Sequence, residues 1–328
     1  MKIIITQILI FFSCIVYAQA AKPKVLATCS IWADMAAVIG GEMIDLDYIV
    51  PVGSDPHLYE PTPSDLLKVS KADIILINGL TFEGWLSKLI KNASGQAKSI
   101  LLTEGIKPIT NTDHQNAADP HAWMDVMNVK KYCLNIFKSL SDLDPLHTEE
   151  YRFNLDLYLK ELDALHQFIL LEIEKIPSDK RILITSHDGF QYFGKAYGLQ
   201  LQPLQGTSTE SDVQSATIVK VNQIIRKHQI NSIFAESTIN PKLIQQIRQE
   251  NNIQIGGKLY ADSLGDPKVE AGTYIGMMKH NARIIAEGLI TVKNKLNENE
   301  QESKTFIYLG IFLFYLITLT LLFLVNRK

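Results

Sequence analysis

From Asp144 to Ile176 the sequence keeps apolar residues three or four positions apart: Leu155, Leu159, Leu162, Leu165, Ile169 and Ile173. That spacing gathers them on one face of an α-helix, which a strand of period two cannot do. Asp144 followed by Pro145 reads as an N-cap with proline at the first helical position, and Pro177-Ser178 ends the run. At 1.5 Å per residue such a helix spans ~45 Å. It is either a connector lying along two lobes or an ordinary packed helix. On both sides of it, short β-branched runs (25–31, 46–50, 74–77, 182–185, 233–235, 253–259) alternate with helical patterns (31–39, 63–69, 216–228, 241–250). Strands alternating with helices predict an α/β fold with mainly parallel sheets.

The two ends of the chain differ from this middle. Met1-Lys2, an apolar run from Ile3 to Val16 and Ala18-Gln19-Ala20 have the form of a secretory signal peptide cut after Ala20. Cys14 follows Phe-Phe-Ser as at a lipoprotein site, but the apolar residues after it disfavour a lipid there. At the other end, Phe306 to Val325 is twenty residues without a charge, long enough to cross a bilayer as a helix. Asn326-Arg327-Lys328 follow it, while Glu298, Glu300 and Glu302 precede it, which places the C-terminus in the cytoplasm and the main body outside. The competing reading is a buried core helix; the run has no polar face and sits at the end of the chain, and the anchor is the reading preferred. The organisation expected is a signal peptide (1–20), an N-terminal α/β lobe (21–143), a connecting helix (144–177), a C-terminal α/β lobe (178–293), a polar tether (294–305) and a transmembrane helix (306–325). The net charge of −3 gives no sign of nucleic-acid binding. Cys14, Cys29 and Cys133 are too few for a disulfide scaffold and lack the spacing of a thiolate zinc site.

Among eight histidines three stand apart. His57 follows a strand in GSDPHLYEPTP, His121 lies in DPHAWMD, and His187 ends the strand 182–185 in ITSHDG. Residues at the carboxyl ends of strands in an α/β fold lie where ligands bind. Asp262 and Glu236 follow later strands in the same way. One histidine after a strand is usually a cap or a hydrogen-bonded polar residue. Three of them with an aspartate point to a metal site, His57, His121, His187 and Asp262, with Glu236 as a cleft residue. His114 reads as a solvated loop residue or an auxiliary ligand. His147, His166 and His228 read as solvated helix positions, and His280 as packing or hydrogen bonding.

These stretches, together with ADIILINGLTFEGWL (72–86), LQGTSTESD (204–212), GGKLYADSLG (256–265) and GTYIGMMKHN (272–281), resemble the metal-binding solute-binding proteins of bacterial ABC importers. This is the cluster A-I, TroA-like group, also called solute-binding protein family 9, zinc/manganese type. The resemblance runs from about Lys24 to Val292. It implies two α/β lobes joined by one long helix, with the metal in the cleft. His57 and His121 would come from one lobe, His187 and Asp262 from the other. It also implies a monomeric receptor, not an enzyme, working with permease and ATPase subunits encoded elsewhere. Three imidazoles and a carboxylate suit Zn²⁺, and also Mn²⁺ or Fe²⁺ if water or a second carboxylate oxygen adds coordination. Manganese members of the group often carry glutamate where His187 stands, and zinc-dedicated members carry a long histidine-rich loop where 111–119 is short. The GTSTESD and GTYIGMMKHN stretches look most like members handling both metals, so the resemblance implies zinc and manganese together as cargo. The group includes proteins called adhesins, so a surface interaction role is the alternative. A zinc hydrolase would need an open coordination position, and no HExxH motif is present. The C-terminal membrane segment departs from the group, whose members are free in the periplasm or held by an N-terminal lipid.

Overall fold

The computed structural model describes residues 21–111, 117–210 and 213–290, with Tyr308, Leu309 and Ile311. The N-terminal lobe contains β1 (Lys24–Ala27), α1 (Ser30–Gly40), β2 (Asp45–Tyr48), α2 (Pro63–Lys71), β3 (Ile74–Ile77), α3 (Leu86–Asn92) and β4 (Lys98–Leu101). The four strands form one parallel sheet in the order β2-β1-β3-β4. Central strands β1 and β3 read Lys-Val-Leu-Ala and Ile-Ile-Leu-Ile and bury most of their side chains, as strands covered on both faces must. Edge strand β2, Asp-Leu-Asp-Tyr, is largely exposed. β1 stops at Ala27 because Ser30 already begins α1. α2 begins where a capping box predicts, with Pro63 at its first turn and the Asp65 carboxylate accepting from the Thr62 N–H at 2.8 Å. A two-residue antiparallel pair, β5 (Thr110–Asn111) and β6 (Ala117–Ala118), leads into α4 (Val126–Leu143).

The long helix, α5, runs Thr148–Glu174, about 40 Å at 1.5 Å per residue. Asp144 does not cap it. Its Oδ2 lies 2.6 Å from His147 Nδ1 and accepts the Tyr151 hydroxyl at 2.9 Å. Pro145–His147 form a 3-10 turn, and the α-helix starts after it. Leu155, Leu162, Leu165, Ile169 and Ile173 are buried, and Tyr151 and Tyr158 complete the same face. That face packs on α1 and α4 at one end. At the other it meets α6 (Gln191–Tyr197) and α9 (Tyr274–Ile290) of the second lobe. The helix thus shares one apolar core with both lobes.

The C-terminal lobe holds β7 (Ile182–Thr185), β8 (Gln200–Pro203), α7 (Ser215–His228), β9 (Ser232–Glu236), α8 (Lys242–Asn251) and β10 (Gln254–Leu259). β7 pairs with β8 and β9 with β10, both in parallel, and β7 packs beside β9. A smaller core under α7 and α8 gathers Ile182, Ile184, Val221, Ile225, Ile244 and Ile247. Cys29 and Cys133 are buried free thiols. The signal segment 1–20, the His114 loop, the tether 294–305 and all of 306–325 except Tyr308, Leu309 and Ile311 lie outside the described residues. Among the described residues no helix is long and apolar enough to cross a membrane.

Candidate metal site

Four side chains from distant parts of the chain meet between the lobes. His57 comes from the loop after β2, His121 from the loop after β6, His187 from just beyond β7, and Asp262 from just beyond β10. One side-chain donor atom of each lies within 4.8 Å of the others. His121, His187 and Asp262 have no exposed surface, while His57 keeps 8%. The Nε2 atoms of His57 and His121 are 3.3 Å apart, and those of His121 and His187 are 3.2 Å apart. Asp262 Oδ2 is 3.2 Å from His187 Nε2 and 3.8 Å from His57 Nε2, and Oδ1 is 3.4 Å from His121 Nε2. A tetrahedron of ligands about 2.0–2.1 Å from a central ion has edges of about 3.3 Å. The observed separations match that figure. Both Asp262 oxygens are buried without a hydrogen-bond partner, a costly arrangement that a cation among the four groups relieves.

Carboxylates from behind hold two of the rings. Asp119 Oδ1 accepts the His121 backbone N–H at 2.9 Å and lies 2.7 Å from its Nδ1. Glu236 Oε1 accepts the His187 N–H at 2.8 Å, and its Oε2 stands 2.7 Å from Nδ1, close but poorly aligned for a hydrogen bond. A proton kept on Nδ1 leaves the Nε2 lone pair facing inward, the arrangement metal-bound histidines use. Asp55 Oδ1 accepts the His57 N–H at 2.9 Å. Asp188 turns instead to the Gln191 amide. Phe82 packs edge-on against His57 at 4.7 Å between ring centres, and Trp123 lies 5.2 Å from His121, so one wall of the site is aromatic.

Burial alone would raise the Asp262 carboxyl. The three imidazoles, His187 foremost, overcome it and hold Asp262 well below the usual carboxylate range. Burial pushes His57 down to about 3, against the pull of Asp262 and with the help of the other two rings. His187 also feels burial, but Glu236 and Asp262 outweigh it and raise its pKa. The centre is thus a negative charge enclosed by imidazoles, a fit for a divalent cation.

A family model described as the periplasmic zinc-uptake complex component A matches residues 25–288. The chain belongs to this family. The chain is similar to the manganese ABC transporter substrate-binding lipoprotein PsaA of Streptococcus pneumoniae, 35% identical over 307 residues, covering 88% of this chain and 99% of PsaA. The metal ABC transporter substrate-binding lipoprotein SsaB of Streptococcus sanguinis is 35% identical over 280 residues, covering 83% of this chain and 91% of SsaB. The periplasmic zinc-binding protein TroA from Treponema pallidum superposes with a TM-score of 0.78 at 31% identity, covering 82% of this chain and all of that one. The family's two-lobed α/β fold is therefore the fold of this chain, whose homologues are substrate-binding transport proteins rather than enzymes.

Of the residues singled out by sequence, the structure brings together His57, His121, His187 and Asp262, with Glu236 behind His187. The remaining described histidines lie apart from the cluster. His147 pairs with Asp144, His166 Nδ1 lies 3.2 Å from the Tyr197 hydroxyl, and His280 meets the Lys258 carbonyl. Sequence reasoning missed Gly189. A Cβ there would stand 2.6 Å from Cε1 and 2.8 Å from Nε2 of His187, so only glycine lets the backbone pass so close to the ring. The signal available was a glycine two residues after a candidate ligand.

Proposed function

We propose that this protein is the extracytoplasmic receptor of a metal ABC importer, holding one divalent transition metal, zinc or manganese, between its lobes as cargo. The ligands are His57, His121 and His187 through Nε2, and Asp262 through one or both oxygens. The observation that carries this reading is the bare, fully buried Asp262 carboxylate facing three inward-pointing imidazoles at tetrahedral spacing. Monodentate, Asp262 completes the four-coordinate set zinc favours. Bidentate, it adds the fifth ligand that suits manganese. Thiolates are absent from the cluster, which disfavours Cu(I), and an all-oxygen cage is absent, which disfavours Ca²⁺ and Mg²⁺. Relatives named for manganese and a structural neighbour named for zinc agree with a site that takes either ion. Permease and ATPase subunits encoded elsewhere complete the importer, and the receptor works as a monomer. Residues 21–143 and 178–293 form the two lobes and 144–177 the connection. Calorimetric titration of chelator-stripped protein with Zn²⁺ and Mn²⁺ tests the site: one tight site per chain is expected, lost in Asp262→Ala. A folded wild-type protein that binds neither ion overturns the reading.

The anchor is part of the same proposal. The uncharged run 306–325, flanked outside by glutamates and inside by Arg327 and Lys328, holds the receptor to the membrane by its C-terminus. A tether of this kind raises the receptor's effective concentration at the permease. Since the relatives are named lipoproteins, a lipid on Cys14 is the competing anchor. Cys14→Ser protein that still resists alkaline carbonate extraction supports the C-terminal span. Release of that variant into the supernatant refutes it.

A further inference from the structure

His57 differs from the other two rings in how it is held. His121 and His187 rest on Asp119 and Glu236, carboxylates of their own lobes, and both are fully buried. His57 is the most exposed of the four ligands, and its loop is fastened to the opposite lobe. Asp55 stands at the centre of that fastening. One of its oxygens, Oδ1, accepts the His57 backbone N–H at 2.9 Å. The other, Oδ2, accepts the Thr209 hydroxyl at 2.7 Å from the loop between β8 and α7. A second cross-lobe bond lies two residues earlier, where the Gly53 N–H donates to Ser263 Oγ at 2.8 Å, beside the ligand Asp262. Both bonds span more than 150 residues of sequence, and each joins a segment adjoining one ligand to the far side of the cleft.

We propose that Asp55 is a positioning residue that ties the His57 loop to the C-terminal lobe through Thr209, and that this tie sets the rate at which bound metal leaves. The inference rests on the metal-receptor reading above. For an ion enclosed by four buried groups to escape, one ligand must withdraw. The ligand nearest solvent, on a loop held by hydrogen bonds across the cleft, is the one that can do so without unpacking a lobe. A carboxylate gripping that ligand's own N–H with one oxygen and the opposite lobe with the other makes the two events one: His57 cannot swing out until the Thr209 bond breaks. A partner that draws the 206–210 loop away, as a docking permease would, thereby loosens His57 as well. The same bond need not form before an incoming ion meets the other three ligands, so it acts on departure rather than on arrival.

The experiment uses the full chain in detergent, loaded with Zn²⁺. Dissociation is started with excess chelator and followed by tryptophan fluorescence, for which Trp123, 5.2 Å from the His121 ring, is a built-in reporter. A hydrogen bond to a charged acceptor is worth enough that Thr209→Val should release Zn²⁺ about tenfold faster or more. Its association rate should be unchanged, and Thr209→Ser, which keeps the hydroxyl, should restore wild-type release. Asp55→Asn, which keeps one acceptor of the two, should fall between. Thr209→Val with wild-type release, or Thr209→Ser as fast as Thr209→Val, overturns the tie while leaving the receptor reading intact. A wild-type chain that shows no stoichiometric Zn²⁺ to release refutes the receptor reading itself.

Discussion

Gly189→Ala is a small substitution remote from the ligands in chemistry and adjacent to one in space. The new methyl carbon would lie 2.6 Å from Cε1 and 2.8 Å from Nε2 of His187, and 3.3 Å from Ala261 Cβ. Ordinary carbon contacts begin near 3.5 Å, so ring and backbone must part by about 0.7–0.9 Å. The ring has little room to give way, being fully buried, backed by Glu236 Oε2 at 2.7 Å from Nδ1 and faced by His121 at 5.1 Å. The backbone beside it is held too, by the Asp188 N–H on the Gly206 carbonyl. Metal sites tolerate ligand displacements of about 0.2 Å, so a shift several times larger takes His187 Nε2 out of bonding range or strains the others to follow. The expected loss is 10–100-fold in Zn²⁺ affinity, about 1.4–2.8 kcal/mol. Competition against a chelator of known affinity measures it, with the urea midpoint of the metal-free protein showing that the fold survives. Gly84→Ala, where a Cβ meets nothing within 4 Å, is the control and should bind as wild type. A folded Gly189→Ala protein with wild-type affinity would refute the claim that His187 is a ligand held in this orientation.

Glu236→Gln keeps the shape behind His187 but removes the charge, and a 10–100-fold weaker Zn²⁺ affinity is expected in the same competition assay. An unchanged affinity would mean the carboxylate only caps the strand end. Asp34, partly buried between the lobes, accepts the Tyr274 N–H at 2.9 Å, and burial outweighs that bond and raises its carboxyl to about 6. Its pKa is thus higher folded than unfolded, so its charge opposes folding above pH 6, and the penalty fades as pH falls towards the unfolded value near 4. Asp34→Asn should therefore stabilise the metal-free protein by about 1–2 kcal/mol at pH 7.5, and by less at pH 4.5, in urea titrations. Equal effects at both pH values would show that ionisation is not the cause. His57→Ala should lose tight Zn²⁺ binding but leave the urea midpoint of the metal-free protein within about 1 kcal/mol, since the ring lies at the cleft and outside the apolar cores.

The sequence carried the alternation of strands and helices, the long amphipathic helix and the four residues that cluster between the lobes, because each leaves a local mark. β-Branched runs mark strands, a three-to-four spacing marks α5, and Asp-Pro-His written twice after strand-like runs marks His57 and His121. Features that depend on parts of the chain far apart left no such mark. Tyr151 and Tyr158 complete the buried face of α5 although tyrosine is ambiguous in an apolar count. The Asp144-Pro145 pair looks like a helix cap, yet the Asp144 carboxylate turns to His147 and Tyr151 and the helix begins after a 3-10 turn. Asp55, Asp119, Asp188 and Glu236 look alike as carboxylates near the candidate histidines. Only the fold shows that Asp119 and Glu236 stand behind rings, Asp55 reaches across the cleft and Asp188 faces Gln191.

The contacts between the lobes bear on how the cargo can leave. α5 shares its buried face with helices of both lobes, so bending it away from either would expose core. α9 adds further ties at its first residue, where the Tyr274 hydroxyl donates to the Trp123 carbonyl at 2.8 Å and its N–H to Asp34. Trp123 in turn donates its indole N–H to the Ala261 carbonyl at 2.9 Å, next to Asp262 of the cluster. A wide hinge opening would break these buried bonds and expose the aromatic wall together, at several kcal/mol in all. The bonds at Gly53 and Asp55 involve partly buried loops and leave the core untouched. Withdrawal of the His57 loop would break only these partly buried bonds, whereas a wide opening would have to unpack α5 and α9 as well.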